Sequence, residues 1–193
     1  MLKNLSVLKH PFDLFRTKKV TRVNPTIETR LQEPEEIKVF VYDYKHEEVI
    51  EQQSTNIEDC YKYLDTDRVS WINIDGLRKA DVENVCNHFG IHHLIMDDIL
   101  SIGHRPKTDN INGVLFCLTN MLYFNEEDGS IETEQISMVL GKNFVITFQE
   151  EPYKDVFDSL RQKIKLPGSK IRQNGADFFF ILCLITSLII IFW

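Results

Sequence analysis

Stretches in which apolar and polar residues alternate predict the strands of a β-sheet. Glu36 to Asp43 is one such stretch, and Glu48 to Gln52 is its expected short partner. Val69 to Ile74 is another, and Val114 to Phe124 is so continuously apolar that we expect a strand buried on both faces. Two further alternating runs flank Gly141-Lys142 and predict a tight hairpin.

A longer apolar period marks helices between these strands. Lys79 to Phe89 has one apolar stripe, and Gly90 stands where a left-handed residue ends a helix. Asp155 to Ile164 predicts a later helix. Another amphipathic helix is expected from His92 to Leu100, with an apolar face made by Leu94, Ile95, Ile99 and Leu100. Strands followed by helices, with one hairpin among them, indicate an α/β fold in which helices cover a mixed sheet.

The charge of the chain limits its partners. A formal net charge of −7 and a pI near 5.4 argue against a nucleic-acid surface, which needs clustered Lys and Arg. Residues 1–22 differ in charge, because they contain six basic residues and one acidic residue. We interpret residues 1–35 as a basic N-terminal tail, either solvated or held at a membrane surface. The four cysteines are far apart and form no CxxC pair, so they indicate neither a zinc site nor a disulfide framework.

Candidate chemistry is concentrated in one polar segment, His92 to Lys107. The sequence contains none of the common nucleophile-elbow, phosphate-loop, zinc-protease or dinucleotide motifs. Asp97 and Asp98 are candidate ligands of a divalent cation, and a hydrated Mg²⁺ needs only one or two carboxylates. Adjacent side chains on a helix diverge by about 100°, so these two cannot chelate one ion side by side. The alternative is that both acids are solvated on the polar face of the helix.

The same segment holds three histidines, His92, His93 and His104, whose imidazoles suit transition metals such as Co²⁺. Neighbouring side chains point apart, however, and His92 stands where a helix begins. A role in capping that helix, or at the edge of the core, is therefore the alternative interpretation. Arg105 to Lys107 is expected either to act as a basic anchor or, through Arg105, to pair with the nearby acids.

Four ordered blocks of the sequence resemble one known family. They are WINIDGL (Trp71 to Leu77), FGIHHLIMDDIL with HRPK (Phe89 to Lys107), EQISMVLGKNFVITFQE (Glu134 to Glu150) and RQNGAD (Arg172 to Asp177). In this order and spacing, from about Glu36 to Asp177, the chain resembles the cytoplasmic N-terminal domain of the CorA family of magnesium and cobalt transport proteins.

The resemblance implies a layered α/β/α domain that forms the cytoplasmic part of a homopentameric channel. It also implies that a carboxylate in the helix after the FGIH motif binds a divalent cation between protomers and closes the channel when Mg²⁺ is high. Asp98 matches that ligand and Asp97 is its acidic neighbour, with Mg²⁺ as the implied regulatory ion and Co²⁺ as a second candidate. This chain reads His92-His93-Leu94 where the family reads His-Pro-Leu.

The end of the sequence departs further from the family pattern. No Gly-Met-Asn pore signature occurs, and no charged stalk helix follows Asp177. Phe178 to Trp193 is an uncharged run that predicts an apolar C-terminal helix. As a helix it spans about 24 Å, against a hydrocarbon core of about 30 Å. We therefore expect residues 178–193 to be an out-of-frame or prematurely terminated tail, or else a short membrane anchor.

Residues 36–177 are thus expected to be the cation-sensing cytoplasmic domain of a magnesium and cobalt transporter. The domain is expected to be neither an enzyme nor able to conduct ions by itself. Its expected partners are divalent cations and further copies of the chain, at the cytoplasmic side of the inner cell membrane. The alternative is a membrane-tethered module that does not transport but associates with full-length channels.

Overall fold

A central β-sheet with helices on both faces makes up the described part of the chain. The computed structural model describes residues 28–29, 33–124, 131–150, 156–188 and 191–192. The strands are β1 (Glu28–Thr29), β2 (Lys38–Tyr44), β3 (Val49–Ser54), β4 (Val69–Asp75), β5 (Ser101–Ile102), β6 (Lys107–Ile111), β7 (Val114–Phe124), β8 (Ile131–Leu140), β9 (Phe144–Gln149) and β10 (Ile191–Phe192). The α-helices are α1 (Lys79–His88), α2 (His93–Leu100), α3 (Asp158–Lys165) and α4 (Ala176–Ser187), and a short 3-10 helix spans Ile57–Tyr63.

The sheet is mixed, as the sequence predicts. Within the described ranges its main path runs in the order β10-β7-β8-β9-β4-β2-β3, and β6 also pairs with β7. The central pair β4 and β9 is parallel, and so is the short pair β10 and β7. The other pairs of this sheet are antiparallel. A separate antiparallel pair joins β1 to β5.

Two apolar cores lie on opposite faces of the sheet. On one face, α1, α2 and the 3-10 helix bury residues such as Val85 and Ile95 against Ile72 of β4. On the other face, α3 and α4 bury residues such as Leu160 and Phe179. The result is a three-layered α/β/α arrangement, which confirms the predicted fold class.

The hairpin of β8 and β9 divides its apolar residues between the two cores. Ile136 and Met138 of β8 face α3 and α4, whereas Phe144, Ile146 and Phe148 of β9 face α1 and α2. The polar positions of β9 are also buried, because this strand lies between β8 and β4 in the sheet and is covered on both faces. The predicted hairpin is therefore confirmed.

A glycine-dependent cap ends α1 and leads the chain into α2. Gly90 has φ of +66°, in the left-handed region that glycine enters without a steric penalty. The Ile91 N–H donates to the Cys86 carbonyl at 2.8 Å, and the Gly90 N–H donates to the Asn87 carbonyl at 3.4 Å. This pattern of two bonds is a Schellman motif. It satisfies the last carbonyls of α1 and sets the direction in which α2 begins.

The C-terminal apolar run belongs to the second core over much of its length. One helix, α4, crosses the expected boundary between residues 177 and 178. Its side chains Phe179, Phe180 and Cys183 are buried against the sheet. Ile181 and Ile185 on the other side of the helix are about half exposed, at 52% and 54%. The run therefore packs as part of the domain and also presents apolar surface.

Two details of the helices differ from the sequence-based expectation. Leu94 was expected on the apolar face of α2, but this was wrong, because its side chain is 52% exposed in the first turn. The third helix begins at Asp158, after its expected start at Asp155, which lies outside the described residues. Residues 1–27 and 30–32 of the expected basic tail also lie outside them.

Candidate metal site

The first turn of α2 fixes the two adjacent histidines. His92 is the N-cap residue, and its Nδ1 accepts a hydrogen bond from the Leu94 N–H at 3.2 Å. The rings of His92 and His93 have centroids 4.1 Å apart. Capping by His92, one of the two interpretations of this pair, is thereby confirmed. Within the described ranges, no three His, Cys, Asp or Glu side chains are grouped so that they could hold a metal ion.

The last turn of α2 is tied to the sheet through its backbone carbonyls. The Asp97 carbonyl accepts hydrogen bonds from the Ser101 N–H and from Ser101 Oγ, the latter at 2.7 Å. Gln135 of β8 donates from Nε2 to the carbonyls of Ser101, at 2.8 Å, and Asp98, at 3.3 Å. Helix ends leave carbonyls that need such partners. Gln135 therefore fixes the position of the backbone that carries Asp98.

The two candidate ligands have different surroundings. The side chain of Asp97 is exposed to solvent, whereas that of Asp98 is only 16% exposed. Asp98 Oδ2 lies 2.5 Å from Lys107 Nζ, and Asp98 Oδ1 lies 3.8 Å from His104 Nε2. The two carboxylates are thus separated by the helical rotation that the sequence predicts, and only Asp98 faces the polar segment that follows α2.

Lys107 is shared between two acids. Its Nζ lies 2.5 Å from Asp98 Oδ2 and 3.4 Å from Asp109 Oδ2. Partial burial alone would lower the pKa of Lys107, but the hydrogen bonds and charges of Asp98 and Asp109 raise it overall. Pairing with the nearby acids, which was one of the two expectations for this segment and was assigned to Arg105, is made by Lys107 instead. The physical reason is that β6 begins at Lys107 and brings it beside α2, whereas Arg105 precedes the strand and is exposed.

A helix C-terminus is an unfavourable place for carboxylates, because the helix dipole is negative there. Asp97 and Asp98 both stand in the last turn of α2, which carries no basic residue of its own. The Lys107 ammonium compensates Asp98 and the dipole at this position. Carboxylate oxygens are also the ligands that Mg²⁺ accepts, with water completing its shell. The Asp98 carboxylate is therefore chemically suited to a hydrated divalent cation, at the position that the ammonium occupies.

A cavity of about 260 Å³ opens beside this segment. Its lining residues are Ile102, Gly103, His104, Asn120, Thr133, Gln135 and Glu150. Two of its polar atoms, Gln135 Oε1 and His104 Nε2, are buried without a hydrogen-bond partner among the described residues. The cavity thus brings together polar groups from the segment after α2 and from strands β7 and β8.

Residues 66–193 match the protein-family model described as "CorA-like Mg2+ transporter protein". The match covers well over half of the chain. The chain belongs to the CorA-like Mg²⁺ transporter family. The matched residues include all of α2, the polar segment to Lys107 and the apolar run from Phe178 onward.

Two curated relatives support the CorA-like assignment. The chain is 35% identical over 145 residues to the cobalt/magnesium transport protein CorA of Thermotoga maritima, which covers 75% of this chain and 41% of that protein. It is 30% identical over 78 residues to the putative metal ion transporter YfjQ of Bacillus subtilis, covering 40% of this chain and 23% of that protein. The chain thus spans less than half the length of the curated relatives that it matches.

Solved structures share the fold of this CorA-like domain. The soluble domain of CorA from Methanocaldococcus jannaschii aligns with a TM-score of 0.52 and 16% identity, covering 75% of this chain and 55% of that one. The ZntB cytoplasmic domain from Vibrio parahaemolyticus aligns with a TM-score of 0.50 and 12% identity, covering 69% and 52%. At these identities the likeness is one of fold.

In this CorA-like chain, Asp98 and Lys107 stand in the polar segment that the sequence singles out, but Gln135 and Asp109 also contribute to the site and were not predicted. Gln135 lies in a block that carries the family resemblance, yet its role depends on the register that places β8 under the end of α2. Asp109 stands two residues after Lys107 in a strand, so alternation alone places both side chains on one face. In the described part of the chain, no helix is both long and apolar enough to cross a membrane.

Proposed function

We propose that this domain is the cytoplasmic cation-sensing domain of a Mg²⁺ and Co²⁺ transporter, and that Asp98 binds the sensed cation. In this proposal the domain works in a homo-oligomer, a pentamer in the complete transporter, at the cytoplasmic side of the inner cell membrane. Asp97, which is exposed on the same turn, faces solvent or a neighbouring protomer. By itself the domain binds the ion and does not conduct it.

The observation that carries this proposal is the position of the Asp98 carboxylate. It is largely buried at the negative end of α2, and it already holds a cationic group, the Lys107 ammonium, at 2.5 Å. Membership of a family described as Mg²⁺ transporters supplies the class of ion. A hard oxygen ligand that is partly shielded from water suits Mg²⁺ or Co²⁺ bound with several of its own waters.

A second candidate function is a module that does not transport but associates with full-length channels through its C-terminal segment. The observation that favours it is an exposed apolar surface, formed by Ile181 and Ile185 of α4 and by Leu188 directly after the helix. Exposed apolar patches on a folded domain mark contact surfaces. Co-purification with full-length CorA that is lost when Ile181 and Ile185 are both replaced by Lys would support this function.

The cation-sensing proposal is tested by limited proteolysis with and without Mg²⁺. A cation that binds only the native state adds stability in proportion to its occupancy. We expect Mg²⁺ in the millimolar range to slow cleavage of the 193-residue chain, and Asp98→Asn to remove that protection.

Asp97→Asn is the matched control, since it removes an adjacent carboxylate of the same helix turn. It is expected to keep most of the protection. Equal protection of the wild type and Asp98→Asn would overturn the assignment of Asp98, and loss of protection in Asp97→Asn alone would transfer the ligand role to Asp97.

A further inference from the structure

We propose that Lys107 is an intramolecular counter-ion that competes with the divalent cation for Asp98, and so sets the cation concentration to which the domain responds. The inference rests on the proposed function of Asp98 as the cation ligand. It assigns to Lys107 a regulatory role, because the ammonium and the metal ion require the same carboxylate.

The geometry provides the competitor in place. Lys107 Nζ is 2.5 Å from Asp98 Oδ2, so the ammonium contacts the carboxylate directly as a charge-assisted hydrogen bond. On the other oxygen, Asp98 Oδ1 has His104 Nε2 at 3.8 Å. A cation that binds Oδ2 in the position of the ammonium must displace it, and a cation on another lone pair of this carboxylate is repelled by the ammonium beside it.

A second acid makes the displacement feasible. Lys107 Nζ also lies 3.4 Å from Asp109 Oδ2, and both residues belong to β6, so their spacing is fixed by the strand. When a divalent cation takes Asp98, the ammonium keeps Asp109 as a partner. The released charge is thus never left unpaired, which would otherwise add a large penalty to cation binding.

The expected size of the effect follows from the exposure of the pair. The side chains of Lys107 and Asp98 are 36% and 16% exposed, so their attraction is partly screened by solvent. Pairs of this kind change an equilibrium by roughly 1.5- to fivefold. Removal of the ammonium should therefore lower the Kd for Mg²⁺ by roughly 1.5- to fivefold.

Replacement of Asp109 should have the opposite effect on cation binding. In Asp109→Asn, of the two acids that contact Lys107, Asp98 alone keeps its charge, so the ammonium is held more firmly on Asp98. The Kd for Mg²⁺ should rise. If Lys107 served merely as a structural clamp between α2 and β6, its removal would lower stability and would not tighten cation binding. The sign of the change in Kd therefore separates regulation from simple support.

The experiment measures the Kd for Mg²⁺ by isothermal titration calorimetry on the full 193-residue chain. The variants are Lys107→Met, which keeps the aliphatic stem, and Lys107→Arg, which keeps the charge. Lys142→Met is the matched control, because Lys142 is an exposed lysine in the hairpin turn between β8 and β9. Asp98→Asn and the double variant with Lys107→Met complete a double-mutant cycle. The Tm of each variant is measured with and without Mg²⁺.

Tighter Mg²⁺ binding in Lys107→Met, with unchanged binding in Lys107→Arg and Lys142→Met and no effect of Lys107→Met once Asp98 is Asn, supports the inference. Weaker or unchanged binding in Lys107→Met, while Asp98→Asn still abolishes binding, overturns the inference and leaves the proposed function standing. Binding that is unaffected by Asp98→Asn, or undetectable in both the wild type and Lys107→Met, overturns the proposed function itself.

Discussion

The rings of Trp71 and Phe179 lie with their centroids 4.9 Å apart, which joins the central strand β4 to the C-terminal helix α4. Both side chains are fully buried, and Phe157 of the segment before α3 contacts the same indole at 5.8 Å. An aromatic cluster of this kind contributes to stability through buried area and ring geometry. The apolar run after Asp177 is therefore part of what holds the second face of the sheet together.

Replacement of Phe179 by Ala should destabilise the domain substantially. A buried Phe reduced to Ala loses apolar contacts and leaves a cavity, at a typical cost of about 3 to 5 kcal/mol. Urea unfolding, followed by tryptophan fluorescence, measures the change directly because Trp71 is in contact with the removed ring.

The matched control is Ile181→Ala on the same helix, whose side chain is about half exposed. Its cost is expected to stay below about 1 kcal/mol. Equal costs for the two variants would contradict the packing of α4 that we describe, since they would mean that α4 does not bury one defined face.

The four thiols should be unreactive in the native protein. All four cysteines are free and buried. Burial raises the pKa of Cys60 and of Cys86 to about 12, and it also raises the pKa of Cys183. Because the thiolate is the reactive form, a thiol reagent at pH 8 should modify these side chains only after unfolding. A native thiol that reacts as fast as those of the urea-unfolded chain would be inconsistent with the described core.

Because burial raises the pKa of these thiols, we expect the domain to lose stability at alkaline pH. A thiol whose pKa is raised by folding holds its proton more tightly in the native state. Its contribution to the free energy of unfolding is therefore fully present below about pH 8.5, which is the ordinary cysteine pKa. The contribution then falls as the pH rises toward 12. Urea titrations at pH 7.5 and 9.5 should show a lower free energy of unfolding at the higher pH. A Cys60→Ala, Cys86→Ala variant should show a smaller decrease between the two pH values.

Gly90 is a position where the backbone, not space, restricts substitution. A Cβ at this residue would meet no atom within 4 Å, but φ of +66° is unfavourable for residues with a side chain. Gly90→Ala should therefore cost about 1 to 2 kcal/mol. Gly90→Asn should cost less, because Asn enters the left-handed region more readily. Thermal unfolding of both variants checks this order, and an Asn variant less stable than the Ala variant would contradict it.

Much of the fold could be predicted from local patterns. The alternation in β8 and β9 and the residues between them identified the hairpin, and Gly90 identified the end of α1. Alternation could not predict which helices would cover each face of a strand. Ile136 and Phe144 lie in the same hairpin but belong to opposite cores. Which core each residue joins depends on how the hairpin pairs with strands that are distant in sequence.

The candidate site was predictable only in part. Asp98 and Lys107 both stand in the polar segment, and the helical rotation between Asp97 and Asp98 separates their environments. The ion pair itself depends on the bend at Gly103, whose φ is +78°, and on the start of β6 at Lys107. For the apolar run, composition alone does not distinguish a membrane anchor from a helix buried on one face. Phe179 is buried because of the tertiary partner Trp71, which lies far away in sequence.

Locating the cation in solution shows whether Asp98 binds it, as the claim made for this carboxylate requires. Mn²⁺ accepts the same oxygen ligands as Mg²⁺ and broadens nearby amide signals in the NMR spectrum of the chain. We expect the strongest broadening at Asp98 and Lys107, reversal by excess Mg²⁺, and loss of the effect in Asp98→Asn. Broadening centred away from α2 and β6, or unchanged in Asp98→Asn, would contradict the claim.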